Sequence, residues 1–153
     1  MTRLPILAVA AAVVLLTSAT QASAPGADWN ESTIAWLDFE SGIQRIERTG
    51  QPGLLVFYTN WCPHCTRYSG VFHDRGVAQL ARDYVMIRVD RDQADQLNKQ
   101  YSKNGSYVPR TLFLDSNGEV DWTVVGRNPK YPYFLDTEDP SELVGLMEQF
   151  AGN

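Results

Sequence analysis

Hydrophobic and polar positions divide the chain into a short apolar leader and a longer region in which helix-like and strand-like patterns alternate. Leu4 to Leu16 is apolar apart from Pro5, follows Arg3, and gives way to the small polar tract Thr17 to Ala24. At roughly 13 residues the run falls short of the about 20 needed to cross a bilayer core. A basic start, a short apolar middle and small residues at the end are the pattern of an export signal. Cleavage is expected after Ala22 or Ala24, and Ala22 is preferred because the other site would leave Pro25 first. The chain is therefore read as a signal peptide over 1–22 and one domain over 23–153.

Beyond a small leader at Ser23 to Asp28, Ile34, Leu37, Ile43 and Ile46 recur at roughly helical spacing as far as Gly50. They predict an amphipathic helix with an irregularity at Gly42. Leu54-Leu55-Val56-Phe57-Tyr58 is a continuous apolar run between turn residues, as expected of a strand buried on both faces beside parallel neighbours. From Pro63 to about Asp83, Val71, Phe72, Val77, Leu80 and Ala81 suggest a helix broken near Gly70 or Gly76. A strand is expected over 84–89. A short helix then follows, capped by Asp92, presenting Leu97 and Tyr101 and stopping at Asn104-Gly105. Thr111 to Leu114 and Val120 to Val125 flank Asp115-Ser116-Asn117-Gly118, a hairpin pattern whose Asn-Gly supplies the positive φ of a tight reversal. A last helix fits Pro140 to Phe150, capped by Asp139, with Leu143, Leu146, Met147 and Phe150 as its apolar stripe. The order α, β-α-β, α, β-β-α predicts an α/β domain: a mixed sheet with helices on both faces.

Composition narrows the partners. Removing the leader leaves about 130 residues, enough for a single core. The formal charge of −5 becomes −6 once Arg3 is lost, and no block of like charge interrupts the chain. Nucleic acid and anionic membrane surfaces are thereby disfavoured, and proteins are the expected partners. No stable membrane insertion is expected after cleavage. The two cysteines, Cys62 and Cys65, are too few for a cross-linked scaffold and lie in Trp61-Cys62-Pro63-His64-Cys65, between the apolar strand and the following helix.

That placement puts Cys62 at a helix N-terminus, where free N–H groups and the macrodipole favour an anion. Thiolates in such settings titrate at about 3.5 to 7.5 instead of about 8.5. Cys62 is the expected nucleophile, and Cys65, one turn further in, the resolving thiol. His64 can favour the Cys62 thiolate and tilt the pair toward oxidation. Pro63 suits the first turn. Trp61 is either a substrate-facing aromatic or a packing residue. A zinc site lacks a second cysteine pair, and residue 66 is Thr where haem attachment needs His. His73 reads as a surface histidine. A copper carrier using Cys62, Cys65 and His64, or a domain that binds a partner without redox work, is the alternative reading of the same residues.

A Cys-x-x-Cys after a buried strand, with Val108-Pro109 before another apolar strand, resembles the thioredoxin superfamily. The narrower resemblance is to the small endoplasmic-reticulum thioredoxin-domain and anterior-gradient proteins. It rests on Trp61-Cys62-x-x-Cys65, on Tyr107-Val108-Pro109-Arg110-Thr111-Leu112-Phe113-Leu114-Asp115 with Gly118, and on Asn128-Pro129-Lys130-Tyr131-Pro132-Tyr133-Phe134. It implies a thioredoxin fold, a cis peptide at Pro109, and thiol-disulfide exchange on protein thiols and disulfides. The backbone of the Val108-Pro109 loop would pair with an extended substrate, and no cofactor is implied beyond the Cys62-Cys65 disulfide itself. Three departures matter. The tail Phe150 to Asn153 lacks a retention signal, so the expected compartment is a bacterial periplasm, with a membrane redox partner as one electron source. The Pro63-His64 dipeptide is that of the periplasmic oxidant DsbA, without room for that protein's inserted helical domain. The family's buried acid falls on Val56. Arg110, counted with Trp61, Val108 and Pro109 as a substrate contact, could favour the thiolate of Cys62 or Cys65 or equally well be a free surface residue, and Glu40 or Glu47 could serve in proton transfer. The segment Tyr131 to Phe134 is expected to pack the final helix or to extend the contact surface.

Overall fold

The computed structural model describes residues 26–151. The signal peptide over 1–22 and both cleavage sites lie outside these residues. Three strands form the sheet: β1 (Gly53–Tyr58), β2 (Val85–Asp90) and β3 (Arg110–Leu114). Their order is β2-β1-β3, with β1 parallel to β2 and antiparallel to β3. Every residue of β1 except Tyr58 is buried, as its unbroken apolar run demands of a central strand.

Five α-helices surround the sheet: α1 (Phe39–Thr49), α2 (Pro63–Val71), α3 (Arg75–Leu80), α4 (Asp95–Gln100) and α5 (Ser141–Ala151). Strand alternation assigns them to two faces. On one, Leu114 and Ile46 of α1 close over Gly53, where an added Cβ would meet both within 2.9 Å. On the same face Phe57 stacks with Tyr101 just after α4. On the other, Thr111 accepts or donates a bond with Tyr68 of α2, and Phe113 meets Phe150 of α5. The predicted two-faced α/β architecture is the observed one.

Several element boundaries differ from expectation. The first helix begins only at Phe39, capped by Asp38, whose carboxylate accepts from the Ser41 N–H. Gly42 is not an irregularity: it lies inside α1, where a Cβ would come within 2.4 Å of the Ile87 side chain. The helix expected to Asp83 is α2, α3 and a 3-10 turn at Ala81–Asp83, because Asp74 accepts from Gly76 and Val77 N–H groups and restarts the chain. Asp92 does not cap α4, whose cap is Ala94. The final helix starts at Ser141, with Asp139 accepting from the Ser141 N–H. The strand expected over Val120 to Val125 shrinks to a single bridge from Val120 to Leu114. Asp121 turns the chain there by accepting from both the N–H and the hydroxyl of Thr123.

Ahead of α1, Trp29 is buried with ring contacts to Trp36, Tyr58, Tyr68 and Phe72 at 5.3 to 6.2 Å. Asn30 donates to the Phe72 carbonyl, so this segment is sewn to the end of α2 and supports the site from behind.

Candidate active site at Cys62 and Cys65

β1 delivers the chain through Thr59, Asn60 and Trp61 to Cys62, which is the N-cap of α2 with Pro63 at the first helical position. Cys62 has extended backbone angles and no side-chain cap bond, so its sulfur is left free for chemistry at the helix end. Thr66 N–H donates to the Cys62 carbonyl at 3.1 Å. One turn in, Cys65 is buried at 1 % exposure against 6 % for Cys62. Both cysteines are free thiols.

The Val108-Pro109 peptide is cis, as the resemblance implied. The Cys62 thiol donates to the Val108 carbonyl at 3.7 Å, so the motif and the cis-proline loop meet at the reactive sulfur. Burial pushes the Cys65 thiol up to about 12, and the neighbouring Cys62 adds to the rise. The Thr59 N–H and the Arg91 charge act in the opposite direction. Val56 is fully buried, so no acid occupies that strand position. Glu40 and Glu47 are exposed on α1, which packs on β2, across the sheet from α2.

The other predicted residues divide by where their side chains go. Trp61 is 65 % exposed: its indole N–H donates to Asp92 Oδ2 at 2.6 Å, and the Arg91 guanidinium lies 5.6 Å from its ring centre. Trp61 is therefore exposed rather than partly buried, and is held on the surface by Arg91 and Asp92. His64 is exposed, with Nδ1 2.7 Å from Arg67 Nη2 and its ring edge-on to Phe134. Arg110 neither reaches a free surface nor bonds to either sulfur. It is 1 % exposed, donates to the Gly105 and Tyr107 carbonyls and to Asn98 Oδ1, and stacks over the Phe57 ring at 4.5 Å. Burial lowers its pKa to about 10. Any contribution it makes to substrate binding passes through the loop it holds. His73 sits on the surface beside Asp28.

Arg91 is the neighbour of the motif that the sequence did not single out, and Asp92, expected as a helix cap, instead accepts from the Trp61 indole. Arg91 carries no local pattern that marks it, since it meets Trp61 and Ser106 across a distance in sequence. Tyr107 stacks edge-on with Tyr131, and its hydroxyl accepts from the Tyr133 N–H. The rings of the Tyr131 to Phe134 segment meet Tyr107, Trp122 and His64, and Phe134 and Leu135 share a cavity with Glu142 of α5, so the segment runs between the motif and the final helix. Among the described residues, no three His, Cys, Asp or Glu side chains gather in a way that could hold a metal ion.

A dithiol at a helix N-terminus opposed by a cis-proline on a mixed sheet defines the thioredoxin-like class. The chain belongs to the thioredoxin-like family, which it matches over residues 35–116. Anterior gradient protein 1 of Xenopus laevis is 29 % identical over 124 residues, spanning 79 % of this chain and 66 % of that protein. The anterior gradient protein 2 homolog of Homo sapiens is 24 % identical over 122 residues, spanning 79 % and 68 %. The chain thus spans about two thirds of the length of these relatives. Among solved structures, a disulphide isomerase from Xylella fastidiosa Temecula1 superposes with a TM-score of 0.58 at 18 % identity, over 90 % of this chain and 98 % of the other.

Proposed function

We propose that this protein is an exported thiol-disulfide oxidoreductase that exchanges disulfides with protein substrates, with a bias toward oxidising them. The observation that carries the reading is the meeting of the Cys62 sulfur, at the N-cap of α2, with the Val108 carbonyl of the cis-proline loop. A polypeptide lying along that loop brings its own sulfur to Cys62.

In the oxidising direction a substrate thiolate attacks the Cys62-Cys65 disulfide at Cys62, forming a mixed disulfide and releasing Cys65 as a thiolate that takes up a proton. A second substrate thiolate then attacks the substrate sulfur of that bond, leaving an oxidised substrate and a Cys62 thiolate. In the reducing direction Cys65 loses its proton, attacks Cys62 and expels the substrate thiolate. The high proton affinity of buried Cys65 slows its attack in the second route near neutral pH, and capture of a proton by the released Cys65 stabilises the reduced pair, which favours the first direction at equilibrium. The N-terminus of α2 stabilises the Cys62 thiolate, which is the leaving group at the end of the oxidising direction and the attacking group at the start of the reducing one. His64 lies at the same helix end, which supports the oxidising bias. Export rests on the leader over 1–22, with the periplasm as compartment and a membrane protein as one source or sink of electrons.

The test is equilibration of the Cys62-Cys65 pair with glutathione. A potential toward the oxidising end of the roughly −270 to −120 mV range supports a disulfide donor, and one near the reducing end overturns the bias. Exchange that survives in Cys62→Ser overturns the assignment of the nucleophile. A pair that never equilibrates, but binds Cu(I) stoichiometrically, replaces the enzyme reading with the copper carrier.

A further inference from the structure

The loop that leads into the cis-proline is held in an unusual way. Its three successive carbonyls, those of Gly105, Ser106 and Tyr107, all accept from arginine: Gly105 and Tyr107 from Arg110, and Ser106 from Arg91. The two cations approach one short loop from two sides, and the Arg91 charge helps to lower the pKa of buried Arg110. Arg110 is anchored by Asn98 of α4 and by the Phe57 ring of β1. Arg91 follows the last residue of β2, where its own N–H donates to the Tyr58 carbonyl at the end of β1. Its guanidinium is set over the Trp61 ring, and Asp92 beside it accepts from the Trp61 indole.

We propose that Arg91 is a positioning residue that ties the two walls of the substrate site together, Trp61 on one side and the cis-proline loop on the other. Arg110 fastens the inner side of the same loop. With the carbonyls of residues 105 to 107 committed to arginine, the backbone of Val108 is what the loop offers to an extended polypeptide beside Cys62. The inference rests on the exchange reading and adds a substrate requirement: a chain with a flanking backbone is recognised through this strap, whereas a small disulfide is not. A cation-neutral replacement at Arg91 releases Ser106 and Trp61 together, because one side chain serves both. The residue is only partly buried, with 22 % of its side chain exposed, so its substitution spares the core.

The experiment compares the full-length protein with Arg91→Gln, Arg91→Lys and Arg110→Lys. Oxidation of a linear ten-residue dithiol peptide, with oxidised glutathione as terminal oxidant, reads KM and kcat. The initial rate of reaction of the reduced protein with 5,5′-dithiobis(2-nitrobenzoate), which has no peptide backbone, reads the first attack by Cys62, before Cys65 resolves the mixed disulfide. Arg91→Gln is expected to raise the peptide KM about tenfold, equivalent to about 1.4 kcal/mol, with kcat and the small-disulfide rate within about twofold. Arg91→Lys, which keeps a donor for Ser106, recovers most of the loss, and Arg110→Lys raises KM in the same direction. An unchanged KM overturns the proposal, as does a parallel fall in the small-disulfide rate, which would place the effect on the sulfur instead of the loop. Wild-type protein that fails to exchange with the peptide overturns the exchange reading itself, whereas active wild type beside an unaffected Arg91→Gln overturns only the strap.

Discussion

Cys65 should be almost inert toward alkylation in the reduced protein even though it lies three residues from a nucleophile. An ordinary cysteine with the reference value of 9.0 is about one-tenth thiolate at pH 8, whereas one raised to about 12 is ionised to about one part in ten thousand. Ionisation alone therefore slows Cys65 about a thousandfold, and its 1 % exposure slows it further. The assay is timed iodoacetamide labelling of the reduced protein at pH 8, quenched in acid and mapped by mass spectrometry. Label should accumulate on Cys62 first. Replacing Cys62 with serine removes the neighbouring thiol that contributes to the rise, but burial is the larger cause, so Cys65 in Cys62→Ser should still titrate well above 9. Comparable labelling of both cysteines, or a Cys65 titration near 9 in that variant, would refute the argument that burial governs the resolving thiol.

Three further outcomes follow from the same geometry. Val56→Asp places a carboxyl at a fully buried position opposite Thr111; it should cost about 3 kcal/mol in denaturant unfolding and speed release of a mixed disulfide near neutral pH, and an unchanged release rate would remove Val56 from the account. Between pH 9 and 12 an unfolded Cys65 ionises while the folded one keeps its proton, so reduced protein should lose stability as pH rises through that window, more steeply than oxidised protein, which has no such thiol. Tyr84, raised to about 12 by burial, contributes equally to both forms, so the comparison by thermal melts isolates the cysteine. Asp74→Ala removes the acceptor for two N–H groups at the start of α3 and should cost about 1 kcal/mol, measured by urea midpoint.

What the chain order alone disclosed was whatever is encoded over a few neighbours. The apolar run at β1, the cysteine spacing, the stripe on α5 and the Asn117-Gly118 reversal are local, and the last is realised with Gly118 at φ 82° and Asp115 accepting from Asn117 and Glu119. Where the outcome turned on a distant partner, local pattern could not decide it. Trp122, Val124 and Val125 have the composition of a strand, yet the Asp121 turn wins and the β3 edge takes Tyr133 in their place: the Thr111 N–H donates to the Tyr133 carbonyl. Arg110 has the look of a surface charge until Asn98, Phe57 and the loop carbonyls are brought around it. Gly42 has the look of a helix breaker until Ile87 fills the space beside it.

The borders of the sheet carry a consequence for the company this protein keeps. Along the outer side of β2, Leu37 alternately donates to Met86 and accepts from Arg88; along the outer side of β3, Thr111, Phe113 and Asp115 are engaged by Tyr133, Asp121 and Glu119. Short, irregular trim on both margins denies a visiting chain the long straight ladder on which fibrils grow. On the proposed exchange function such margins matter, because a protein that meets extended polypeptides at close range would otherwise offer each of them an edge to pair with. If exchange proceeds as proposed, the trimmed sheet leaves Val108 for an extended guest, where contact would be a few residues long and end at a sulfur that can let go.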